Sequence, residues 1–188
     1  MTFTLTSSAP IDGEAILALD DAKLHLRAIG GDEDALIEAL RLAAIDWVER
    51  HTGVALSRRA FVYSGNGFGA MLHLPVRPVV SVSSVTYRDA AGVSTIMGAG
   101  TYRHADGRIY PAARTAWPYT ARESGAVVVQ FVAGLADILV EAPALQAAVK
   151  LLLGHLYVNR EAVVTGETAA ELPFSIQALC APYRLPVL

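Results

Sequence analysis

The sequence predicts an α+β protein: a mostly helical body, built from N-terminal helices and a long C-terminal helix, with a central antiparallel β region. Three observations predict it. Apolar residues recur at i, i+3 and i+4 up to Gly53 and again from Pro143. They alternate with period two between about residues 60 and 133, and the strand-like runs follow one another without intervening helices, which argues against a parallel βαβ sheet.

Residues 1–18 read as an irregular or extended arm. Asp20 offers an N-cap for a short helix through about Arg27, which Gly30-Gly31 ends. Asp32 caps a longer helix whose apolar positions Leu36, Leu40, Ala43, Ala44 and Trp47 keep helical spacing. It stops at Gly53, just after Arg50 and His51, where cations suit the negative end of the helix dipole. From Ala60 the period becomes two, giving strands at 61–63, 71–74 and 80–87 with turns at Gly65-Asn66-Gly67 and 89–92. Weaker strands follow at 101–104 and 108–110, and a clear one at 126–133. Between them, 111–124 is a long loop holding Trp117-Pro118.

Pro143 opens a helix over 143–163, with the proline in the first turn, where no amide donor is needed. On a 3.6-residue wheel Leu145, Val149, Leu152, Leu156 and Val163 form one stripe, while Leu151 and Val158 sit well away from it. One domain core does not cover both flanks, and the simplest second cover is another copy of the same chain. Lys150, His155, Asn159 and Arg160 can line a narrow polar edge that hydrogen-bonds a neighbouring chain, or simply mark the solvent side. Thr165-Gly166-Glu167-Thr168 breaks the helix, 173–181 forms a last short one stopped by Pro182, and 183–188 is an apolar tail.

The chain of 188 residues fits one domain, and 53% hydrophobic against 18% charged residues favours self-association. Residues 1–10 lack the basic start and apolar run of a signal peptide, and no stretch is long enough to cross a membrane, so a soluble protein made in the cytosol is expected. Cys180 is the single cysteine, which rules out an internal disulfide and a cysteine-based metal cluster. Charge is divided along the chain: ten acids and four Lys or Arg in 1–56, eight arginines and two acids in 57–122, six acids and three Lys or Arg in the rest. Such a division steers head-to-tail packing of identical subunits or leaves a basic surface near a polyanion; scattered surface arginines are the bland alternative.

Signals for chemistry are weak. Gly65-x-Gly67-x-Gly69 lies between strands with no helix behind it to receive a phosphate. Asp32-Glu33-Asp34 with Glu38 is what a helix N-terminus favours, more simply than a metal site. His25, His51, His73, His104 and His155 have no ligand spacing. No catalytic, cofactor or metal residue is therefore singled out.

Several blocks, taken in order, carry a resemblance. They are Leu-Asp-Asp-Ala-Lys-Leu-His-Leu-Arg at 19–27, Asp-Glu-Asp-Ala-Leu-Ile-Glu-Ala-Leu at 32–40, and Trp47-x-Glu49-x-x-Thr52-Gly53. Leu74-Pro75-Val76-Arg77-Pro78-Val79-x-Ser81-Val82-x-Ser84-Val85-x-Tyr87 and Val128-Val129-Gln130-Phe131-x-Ala133-Gly134 follow. Gly154-His155-Leu156-Tyr157-x-Asn159-Arg160-Glu161 and Ala178-Leu179-x-Ala181-Pro182-Tyr183-Arg184 close the series. Over about residues 15–185 the sequence resembles the head-tail connector, or adaptor, proteins of long-tailed phages and phage-like gene transfer agents.

The resemblance implies a structural protein without catalysis or cofactor. Copies would assemble head to tail into a ring, typically of twelve, beneath the portal of the DNA-filled head. The ring would seat the next neck component, a stopper or tail terminator, and DNA would pass through it without sequence recognition. Such a protein is made in the bacterial cytoplasm, contacts no membrane and ends in the neck of the particle. By position, Leu36, Leu40, Trp47, Leu151, His155, Val158, Asn159 and Arg160 would form the subunit interface. Phe174, Leu179, Tyr183, Arg184 and Leu185, within a C-terminal segment from 165, would reach the portal. Asn66, Phe68, Arg114, Trp117 and Arg122 would face the channel or the next ring. Two alternatives stand beside it: a small hydrolase with a site beneath the 111–124 loop, betrayed by clustered acids and histidines there, and a duplex-DNA-binding module using the arginine-rich middle.

Overall fold

The structure, a computed structural model, describes residues 3–159 and 174–184. They fall into two compact units, a β unit of residues 3–10 and 58–134 and a helical unit of residues 11–57, 135–159 and 174–184.

The β unit contains β1 (Phe3–Ser7), β2 (Arg59–Gly65), β3 (Leu72–His73), β4 (Val79–Arg88), β5 (Ser94–Ile96), β6 (Tyr102–Ala105), β7 (Arg108–Pro111) and β8 (Val127–Ala133). Five strands pair antiparallel in the order β1-β2-β8-β4-β5, and three more in the order β3-β7-β6. Alternation decides which face is buried. Val127, Val129, Phe131 and Ala133 of β8 are buried, with Phe61 opposite Phe131 and Tyr63 opposite Val129. The Phe61 and Phe131 rings stack at 5.6 Å. On the other side of β8, Val79, Val82 and Val85 stand opposite Ala133, Phe131 and Val129, with register shifts between Val79/Ser81 and Val82/Ser84. Each shift adds one residue to β4, so valines three apart keep to the same face of a period-two strand. Gly65 has no room for a side chain, because a Cβ there would lie 2.7 Å from the Tyr63 hydroxyl.

The helical unit comprises α1 (Gly13–Ile16), α2 (Leu19–Leu26), α3 (Asp34–Thr52), α4 (Ile138–Glu141), α5 (Pro143–Val158) and α6 (Phe174–Cys180), followed by a 3-10 turn at Ala181–Tyr183. Ile37, Ala44, Ile45 and Val48 of α3 meet Leu145, Ala148, Val149, Leu152 and Leu153 of α5, and Ile176 and Cys180 of α6 join the same core. Asp12 caps α1 through its side chain, 3.1 Å from the Ala15 amide. At the other end of α3, Gly53 takes the left-handed conformation (φ 72) and its amide donates to the Glu49 carbonyl at 2.8 Å. Here the Trp47-x-Glu49-x-x-Thr52-Gly53 block has a physical reading. The Glu49 carboxylate accepts from the Leu56 amide at 2.7 Å, and the Thr52 hydroxyl donates to the Val48 carbonyl and accepts from the Val54 amide.

The mostly helical body expected from the sequence is not what forms. The fold is α+β with about 36% helix and 26% strand among the described residues and two antiparallel sheets, so helices do not dominate it. β5, of three residues, carries too few positions to show a period, and it pairs with β4 across a short turn. β1, in the segment read as an arm, gains its hydrogen bonds from β2, a partner distant in sequence. The long C-terminal helix is also absent. α5 ends at Val158, where the Asn159 side-chain amide donates to the His155 carbonyl at 2.8 Å, and the last helix, α6, has seven residues. Val163 and the break at 165–168 lie outside the described residues. Two expected caps shift as well: Ala18 precedes α2, leaving Asp20 and Asp21 in its first turn, and α3 begins at Asp34 with Glu33 at the cap.

Candidate functional site

Assembly surfaces are the candidate site, and α5 supplies the first. Its buried side faces the helical core, while Leu151 (40% exposed) and Val158 (78%) lie seven residues apart on the other side, with His155 half-buried between them. Asn159 is exposed, and Arg160 lies outside the described residues. On α3, Leu36, Leu40 and Trp47 are half-buried. Leu40 and Trp47 pack against their own core, and the indole stacks on His51 at 4.5 Å.

The C-terminal candidates divide in the same way. Leu179 and Tyr183 pack half-buried on the helical core, whereas Phe174 is 83% exposed and Arg184 is exposed. Leu185 lies outside the described residues. Burial, and then the nearby charge of Arg184, hold the His51 imidazole below the ordinary histidine pKa. Burial raises the Cys180 thiol against an opposing pull from Arg184, which suits a core residue and not a nucleophile.

In the β unit two of the loop candidates, Phe68 and Trp117, pack on one another and brace the loop. Phe68 is buried, stacks on Trp117 at 4.4 Å and meets Tyr87 edge-on at 6.0 Å. The Trp117 indole donates to the Ala70 carbonyl at 3.3 Å, and the exposed Asn66 accepts from the Gly125 amide at 3.2 Å. Arg114 and Arg122 point to solvent from the braced loop. Beside it an open hollow of about 320 Å³ is lined by Tyr87, Ile96, Met97, Thr101, Ala116 and Pro118, among others. Its wall holds no acid and no histidine, so the cluster that a hydrolase site would need there is missing. Among the described residues, no three His, Cys, Asp or Glu side chains gather as metal ligands, and no helix is long and apolar enough to cross a membrane.

Three features escaped the sequence reading. Leu24 and Ile29 are 78% and 99% exposed around the end of α2, and Leu139 and Val140 of α4 are 60% and 77% exposed. The third is Arg41, buried among helices. The available signal for Ile29 was a large aliphatic residue set against Gly30-Gly31, where a turn forces it outward.

The α+β chain of two units leaves apolar helix faces open to solvent. No protein-family model and no curated protein matches the sequence. Solved structures do, 11 chains in all. A chain in the neck of an empty gene transfer agent particle, computed with C6 symmetry, superposes with a TM-score of 0.79 and 31% identity over 98% of this chain and 97% of that one. Chains in the virion of the native gene transfer agent particle and in its neck computed with C12 symmetry give 0.78 and 0.77, each at 30% identity and the same coverage. The chain belongs to the head-tail connector (adaptor) family of long-tailed phages and phage-like gene transfer agents.

Proposed function

We propose that this protein is the head-tail connector of its particle. Its copies pack head to tail into a ring of twelve, the ring sits beneath the portal, and its far side receives the stopper or tail terminator while DNA passes through the centre. The observation that carries the reading is the match at 30–31% identity, over nearly the whole of both chains, to components of a particle neck solved with C6 and C12 symmetry. Rings of this kind need heterologous contacts, in which one surface of each copy meets a different surface of the next. Leu151, His155, Val158 and Asn159 of α5 and the half-buried Leu36, Leu40 and Trp47 of α3 are the surfaces assigned to that contact, with Arg160. Phe174 and Arg184, exposed on a C-terminal segment pinned by Leu179 and Tyr183, are assigned to the portal with Leu185.

The test is light scattering coupled to size exclusion, with negative-stain images, on the full chain alone and after mixing with a portal ring from the same particle. A ring of the chain alone, or a stable complex on the portal, is expected. A monomer that ignores the portal at every concentration overturns the reading.

A further inference from the structure

The loop between α2 and α3 holds an isoleucine out in water. Ile29 is 99% exposed and Leu24, in the last turn of α2, is 78% exposed. The loop that carries them is well built. Arg27 is left-handed (φ 56), its amide and that of Ala28 donate to the Leu24 and Lys23 carbonyls at 3.2 and 3.0 Å, and Lys23 pairs with Asp34 across the loop at 2.6 Å. Asp20, Asp21 and Asp32 flank the apolar pair in sequence, are exposed, and form no ion pair among the described residues. A rigid loop that displays aliphatic side chains among unpaired acids has the form of an interface anchor with a charged rim.

The β unit offers the complement. The hollow lined by Ile96, Met97, Ala116 and Pro118 is apolar and open. Arg114 adjoins its Thr115 wall and Arg103 lies two residues beyond its Thr101 wall. Arg122 is joined to the same region by the Ala121 amide, which donates to the Arg88 carbonyl at 2.9 Å. None of these three arginines pairs with an acid among the described residues. The sign of charge also separates by unit: eight arginines against three acids in residues 1–10 and 58–134, but fifteen acids against seven Lys or Arg in the remainder.

Resting on the ring reading above, we propose that Ile29 and Leu24 of one copy insert into this hollow on the next copy. Asp20, Asp21 and Asp32 of the first then meet Arg103, Arg114 and Arg122 of the second. Knob and socket are different surfaces, as a head-to-tail ring requires, so in the ring the contact runs from each copy to the next. The apolar anchor supplies affinity and the ionic rim supplies register.

The experiment uses full-length protein carrying Ile29→Cys and Ala116→Cys together, oxidised under conditions in which the wild type forms rings, alone or on the portal. A ladder of disulfide-linked species is expected from the double variant, only dimers from a mixture of the two single variants, and no crosslink from either single variant, since Cys180 is buried. In parallel, Ile29→Asp should weaken association by about tenfold or more in sedimentation while leaving the melting temperature of the monomer unchanged. If wild-type rings form but the double variant does not crosslink and Ile29→Asp associates normally, this contact is wrong and the connector reading stands. If the wild type forms no ring even with the portal, both fall.

Discussion

Arg41 is 2% exposed, and its guanidinium pairs with Glu14 at 2.7 Å and with Glu38 while donating to the Leu17 carbonyl. Burial works against its charge, but the hydrogen bonds to Glu38 and Glu14 more than offset it, and its pKa lies above the usual arginine value. Both carboxylates reach solvent, so Arg41→Met strands neither of them. It does leave the Leu17 carbonyl short of a donor, and a loss of roughly 1–3 kcal/mol is expected in urea unfolding. Glu49→Ala removes the acceptor for the buried Leu56 amide, and a similar loss, about 1–3 kcal/mol, is expected, with Glu49→Gln milder because its carbonyl still accepts. His51 carries a pH dependence. Its folded pKa is lowered, so between that value and the unfolded value of about 6.5 the unfolded chain holds a proton that the folded chain does not. Stability from this residue is therefore full above about pH 6.5 and falls as pH drops through the window, levelling below the folded pKa. Denaturation at several pH values from 5 to 8 should show a shallower slope for His51→Gln than for the wild type. A slope identical to the wild type would remove the burial of His51 as a source of acid sensitivity. Of these residues the sequence showed the Thr52-Gly53 stop plainly, because the chain needs a left-handed residue there. It hid Arg41, since a charge inside a helical stripe reads as surface until Glu14, from a different helix, is seen to reach it.

At the scale of elements, α5 is two helices in one. Its inner side is sealed by α3 and α6, and its outer side keeps Leu151 and Val158 in water. Leu153→Ala, at a fully buried site, should cost roughly 2–5 kcal/mol of stability. Leu151→Ser and Val158→Ser should each change it by less than about 0.5–1 kcal/mol, because little burial is lost. If α5 is an interface, the pair of serine changes nevertheless lowers ring formation in negative stain while the melting temperature holds. A normal yield of rings would take α5 out of the contact. The apolar surplus of this helix was visible in the sequence because its two stripes are separated by nearly half a turn. Its true end was not, because Val163 continues the apolar pattern and the competing stop, an asparagine side chain bonding the His155 carbonyl, is a matter of one local hydrogen bond. β4 shows the converse. Its valines at 79, 82 and 85 break a period of two, and only the two register shifts against β8 restore it.

For the whole molecule, the helix-first and helix-last order was legible, but its weight was misjudged, since a chain with helices at both ends reads as a helical body until the intervening strands are seen to close into two sheets. The division of charge proved more durable than the division of structure, because arginine-rich and acid-rich stretches fall almost entirely into separate units. That separation sets the physics of assembly. Copies that meet through opposite charges attract at a range set by the Debye length, about 10 Å at 0.1 M salt and about 3 Å at 1 M. Apolar contacts between copies are instead undiminished or strengthened by salt of the excluded kind. Self-association measured by sedimentation across chloride concentrations from 0.1 to 1 M should therefore weaken by about tenfold or more if the ionic rim sets register and on-rate. The same titration in sulfate should weaken it less. Association that strengthens steadily in both salts would mean that the apolar faces of the helices close the ring without help from the arginines, and the charge asymmetry would then have to be read against some other polyanion.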